Sequence, residues 1–92
     1  MDHFYRNVVG LGNVAVSRHA QSRIAEDNIP VEAFERALLW PSQPDVNDGQ
    51  DTLWREHNGL RLVILLNPTP NHGAVLVKTV YRVQEQANAR PR

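Results

Sequence analysis

The sequence predicts an α+β fold, with two N-terminal helices packed on one face of a three- to four-stranded antiparallel sheet. Three observations point there. Residues 16–40 carry a helical apolar period interrupted at Asn28-Ile29-Pro30, the pattern changes to a period of two after residue 51, and Asn58-Gly59 separates two β-prone runs.

Taken in order, residues 1–15 form an N-terminal arm or edge strand, with β-prone Phe4 to Val9 followed by Gly10 and Gly12 as interruptions. Ser17 offers an N-cap oxygen for a helix over 18–27, whose stripe is Val16, Ala20 and Ile24. His19 and Arg23 flank that stripe one turn apart. Pro30 suits the start of a second helix over 31–40, with Glu32 and Glu35 near its positive end and Val31, Phe34 and Leu38 as its apolar stripe. Pro41 ends it, and "PSQPDVNDGQD" reads as turns.

A two-residue hairpin at Asn58-Gly59 fixes a register in which His57 faces Leu60, Arg55 faces Leu62 and Leu53 faces Ile64. That set is assigned to the helices, while Trp54, Glu56, Arg61 and Val63 take the other face. A last strand over 74–83 alternates Val75, Val77, Thr79, Tyr81 and Val83 with Ala74, Leu76, Lys78, Val80 and Arg82; the first set, carrying less charge, is assigned to the helices. The main domain thus spans 16–83, and the polar segment 84–92, "QEQANARPR", reads as a flexible tail.

Composition narrows the function classes. Ninety-two residues make one domain, and no apolar run approaches a membrane span. The start of the chain lacks the pattern of a secretory signal, so the cytoplasm is the default expectation. With no cysteine, thiolate metal sites and cysteine nucleophiles are excluded. His3, His57 and His72 show no metal-ligand spacing, and no cofactor is called for. Ten basic residues balance ten acidic ones, a weak footprint for gripping many phosphates. All of the basic residues except Lys78 are arginines, however, which bind phosphate through a planar fork.

At the rim between helices and sheet, the predicted layout lets His19, Arg23, Arg55, Thr79 and Tyr81 converge. These types suit RNA phosphodiester cleavage, which needs a proton-transfer group, cations for the charge gathering on phosphorus, and a donor near the leaving oxygen. His19 would move the proton, Arg23 and Arg55 would clamp the phosphate, Thr79 would orient it, and Tyr81 would donate a hydrogen bond or hold the base. Arg61, Lys78, Arg82 and Trp54 are the candidates for binding the rest of the substrate. The same residues have plain structural uses: a helix-start histidine, solvated helix arginines, an Arg55 ion pair, and strand-packing threonine, tyrosine and tryptophan.

The order "SRHAQSRIAEDNIPVEAFERALLWP", a hairpin, then "VLVKTVYRV" resembles the bacterial domain-of-unknown-function family 4258, with its His-Ala-x-x-Arg helix and terminal Thr-Val-Tyr strand. That family is similar to RelE-like toxins and the wider barnase, EndoU and colicin nuclease group. The resemblance covers residues 16–83 and implies a RelE-like fold and a metal-independent endoribonuclease of toxin type. Its polar positions fall on His19, Arg23, Arg55, Thr79 and Tyr81. It also implies RNA or the ribosome as target, and a cognate antitoxin or immunity protein as partner. The alternative is a catalytically silent module that binds a protein, for example a phage or mobile-element inhibitor of a host defence protein. An exposed strand edge leaves homodimerisation open.

Overall fold

The computed structural model describes residues 2–68 and 73–83. In chain order the elements are β1 (Phe4–Val8), β2 (Gly12–Val16), α1 (Arg18–Glu26), α2 (Val31–Leu39), β3 (Val46–Asn47), β4 (Thr52–His57), β5 (Leu60–Leu65) and β6 (Val75–Arg82). The strands form one six-stranded sheet in the order β1-β2-β6-β5-β4-β3. The predicted tail 84–92 lies outside the described residues. None of the described helices is long and apolar enough to cross a membrane.

This corrects the predicted fold class. The helices are not N-terminal and the sheet is neither three- to four-stranded nor wholly antiparallel. Residues 4–16 fold into an antiparallel hairpin, with Tyr5 opposite Val14 and Leu11 N–H donating to Val8 O across the turn at 3.0 Å. The β2 strand then lies parallel to β6, Val14 beside Val75 and Val16 beside Val77. A parallel pair needs a long crossover, and everything from α1 to β5 supplies it. The segment read as turns also contributes the short edge strand β3, paired to Trp54 and Leu53.

Local signals are realised where they are strong. Ser17 Oγ accepts from Ala20 N–H at 3.0 Å and donates to Lys78 O at 3.0 Å, so the cap of α1 also ties it to β6. At Asn58-Gly59 both residues have positive φ, 51° and 77°, as a primed hairpin turn requires. The β4–β5 register is the expected one from His57–Leu60 to Leu53–Ile64.

The last strand departs from simple alternation. Pairing with β5 shifts so that Ile64 faces Val77 but Val63 faces Thr79, leaving Lys78 as a bulge. The inserted residue reverses the phase. Val77 and Val80 are both fully buried against the helices, whereas Thr79 and Tyr81 stand beside Val63 and Arg61 on the face without helices. The expected helix-facing set therefore holds only at its beginning.

The core joins both helices to one sheet face through Ala20 and Ile24 of α1, Phe34 and Leu38 of α2, and Leu62, Ile64, Val14, Val77 and Val80 of the sheet. Tyr5 from β1 packs on Phe34, ring centroids 6.2 Å apart, and its hydroxyl donates to Glu35 Oε2 at 2.8 Å. Burial, then the hydrogen bond to that carboxylate, push the phenol above its ordinary value of 10.0. Above about pH 10 the native state therefore binds more protons than the unfolded chain, and stability falls as pH rises. Urea unfolding between pH 8 and 11 should show a steeper loss for the wild type than for Tyr5→Phe. Equal slopes would mean that Tyr5 ionises as freely in the native state as in the unfolded chain.

Candidate functional site

Strand β6 is the longest of the sheet, but β2 stops at Val16 opposite Val77, so the C-terminal half of β6 has no strand on that side. Helix α1 runs alongside instead. A shallow depression of about 470 Å³ opens there, lined by Arg23, Glu26, Asp27 and Asn28 from the end of α1 and by Tyr81 and Arg82 from β6.

Arg23 pairs with Asp27 one turn on, Nη2 to Oδ2 at 2.9 Å, with both side chains about one third exposed. Arg82 donates from Nη1 to Asp27 O at 2.8 Å, placing a cation at the negative end of α1. Two arginines thus face two carboxylates. A phosphate entering here must take Arg23 from Asp27, which is feasible because an exposed ion pair contributes little. His19 is exposed on α1, one turn before Arg23 on the same flank.

Tyr81 links this depression to the open sheet face. Its hydroxyl accepts from Arg61 Nη1 at 3.2 Å, and Arg61 lies 4.1 Å above the Trp54 ring and 5.7 Å from the Tyr81 ring while pairing with Glu56. Burial lowers the Arg61 guanidinium, but the bonds to Tyr81 and Glu56 outweigh it and leave it above its ordinary value. Thr79 is half-buried beside Val63, which in turn pairs with Trp54. Lys78 is exposed at the bulge.

Arg55 does not belong to this group, and its assignment as a phosphate clamp is corrected. Only 2% exposed, it donates from Nε and Nη2 to the two carboxylate oxygens of Asp45 at 2.9 and 2.7 Å and from Nη1 to Leu38 O at 2.8 Å. The β1–β2 turn closes over it: a Cβ on Gly10, whose φ is +77°, would lie 2.9 Å from Arg55 Nη2. Every face of the guanidinium is thus committed to holding α2, the 41–45 loop and the N-terminal hairpin together.

Of the predicted site residues, then, Arg23, Tyr81 and Arg82 line one depression, His19 stands one turn along its helical wall, and Arg61 reaches it through Tyr81. Trp54, Thr79 and Lys78 lie further along the sheet. Glu26 and Asp27 are not among the residues singled out from the sequence, although the i, i+4 spacing of Arg23 and Asp27 is a readable sign of their pairing. Comparison of the chain with protein-family models, curated proteins and solved structures returns no match.

Proposed function

We propose that this protein is a metal-independent endoribonuclease of toxin type. The observation that supports the reading is the α1–β6 depression, where Arg23, Tyr81 and Arg82 meet with His19 one turn away. In this reading His19 takes the ribose 2′-hydroxyl proton, the 2′-oxygen attacks phosphorus, and the P–O5′ bond breaks. Arg23 and Arg82 neutralise the charge gathering on the phosphoryl oxygens. The 5′-oxygen leaves with a proton from the Tyr81 hydroxyl, which regains one from solvent while His19 releases its own to solvent. The products are a 2′,3′-cyclic phosphate and a 5′-hydroxyl end.

Purified protein incubated in EDTA with total RNA and with translating ribosomes should leave 5′-hydroxyl ends. His19→Ala should lower the rate by roughly 10²–10⁴, the range for losing a proton-transfer group. Arg23→Ala should also lose activity while keeping the fold. Cleavage indifferent to both changes, or absent from the wild type on either substrate, would end this reading.

A second reading, a catalytically silent module that binds a protein, draws on the sheet face opposite the helices. There the cross-strand rows bring Phe4, Ala15, Leu76 and Leu65 into one line and Val46, Trp54 and Val63 into the next. Phe4 is 43% exposed and Val46 49%, so the stripe reaches both edges of the sheet. A single stoichiometric partner, retained by His19→Ala and lost with Trp54→Ala, would favour this function.

A further inference from the structure

A second and larger depression, about 500 Å³, lies on the other side of the Asn28–Pro30 link between the helices. Its volume is in the range of small-molecule sites. Ile29, Ala33 and Leu60 provide apolar wall, and the α2 side chains Glu32 and Arg36 stand one turn apart along it. Among the described residues neither of these charged groups has a hydrogen-bond or ion-pair partner for its side chain.

The β4–β5 turn supplies the opposite wall with His57, whose Nδ1 is buried and has no hydrogen-bond partner. With no acceptor for a proton on Nδ1, the neutral ring carries its hydrogen on Nε2, because a buried N–H without an acceptor is costly. His57 is thus a donor through Nε2 only. Arg82 lines this depression as well as the α1–β6 one, so the two share a cationic boundary.

We infer that the larger depression is a nucleobase subsite of the α1–β6 site. A nucleotide with its phosphate at Arg23 and Arg82 would place its base across Arg82, against Ile29, Ala33 and Leu60. Its edge would meet donors at His57 and Arg36 and an acceptor at Glu32. A lining that mixes apolar side chains with a few polar and charged ones suits a heterocycle whose faces are apolar and whose edge carries both donors and acceptors. The inference rests on the proposed ribonuclease site for the phosphate, but the subsite is detected by binding alone.

The test titrates the intact protein with inorganic phosphate and with the four nucleoside 3′-monophosphates while following backbone amides by NMR. Inorganic phosphate should perturb only the amides around Arg23 and Arg82. At least one nucleotide should in addition perturb Glu32, Ala33 and His57 to Leu60. His57→Phe, which keeps the ring but removes its donor, should weaken that nucleotide about tenfold, as expected for one lost hydrogen bond. Ala33→Phe should fill the wall and abolish the base-dependent shifts while leaving those of phosphate. Nucleotides that act no differently from phosphate, or that bind His57→Phe and Ala33→Phe as tightly as the wild type, would overturn the subsite. Base-dependent binding without RNA cleavage would remove the ribonuclease and leave the subsite; cleavage without base-dependent shifts would do the reverse.

Discussion

Arg55→Ala should destabilise the protein by about 3 kcal/mol, the low end of the range for breaking a buried ion pair, because the Asp45 side chain keeps about a quarter of its surface in water. The guanidinium is almost wholly out of water and makes three side-chain hydrogen bonds, two to Asp45 and one to the Leu38 carbonyl near the end of α2. Its loss strands the Leu38 carbonyl and opens a cavity under the β1–β2 turn at Gly10. Asp45→Ala should cost as much or more, because it leaves the buried charge of Arg55 without its counter-ion. Arg55→Ala with Asp45→Ala should cost less than the two single changes added together, since neither charge then remains to be stranded. Urea unfolding of the four proteins measures this. Additive effects, or an Arg55→Ala protein that unfolds like the wild type, would show that Arg55 is not the tie between these segments. The result bears on function too, because an Arg55 that only holds the fold leaves the cleavage rate of any folded variant unchanged.

Ile64→Ala should cost roughly 2–5 kcal/mol, the range for emptying a close-packed site. Ile64 is fully buried at the centre of the sheet, paired with Leu53 on one side and Val77 on the other. Arg61→Ala, three residues earlier on the same strand, should cost about 1 kcal/mol. It removes an ion pair to Glu56 whose side chains are about one fifth exposed and a cation held over Trp54, but leaves no void in the core. For a domain whose total stability is of order 5–15 kcal/mol, the first change threatens folding at 37 °C and the second does not. Comparable midpoints in urea for the two variants would contradict the assignment of strand faces.

Several features were readable in the sequence because short-range chemistry decides them. Ser17, Pro30 and Pro41 act within a turn of their own positions and bound two helices. Asn58-Gly59 sets the register of its hairpin because only residues tolerant of positive φ fit a two-residue loop. Those local signals also put His19 and Arg23 on one helix flank, whereas Tyr81 was a candidate on a helix-facing assignment that the structure overturns. Tertiary structure decided the rest. The parallel pairing of β2 with β6 joins residues about sixty positions apart, and alternation within either strand says nothing of its partner or direction. The bulge at Lys78 is likewise silent in a pattern that counts by twos, yet it sends Thr79 and Tyr81 to the face away from the helices. Arg55 is the plainest case. A charged residue at a core-facing position reads as a site residue until its counter-ion is known, and Asp45 reaches it only once the loop folds back and the N-terminal hairpin shuts out water.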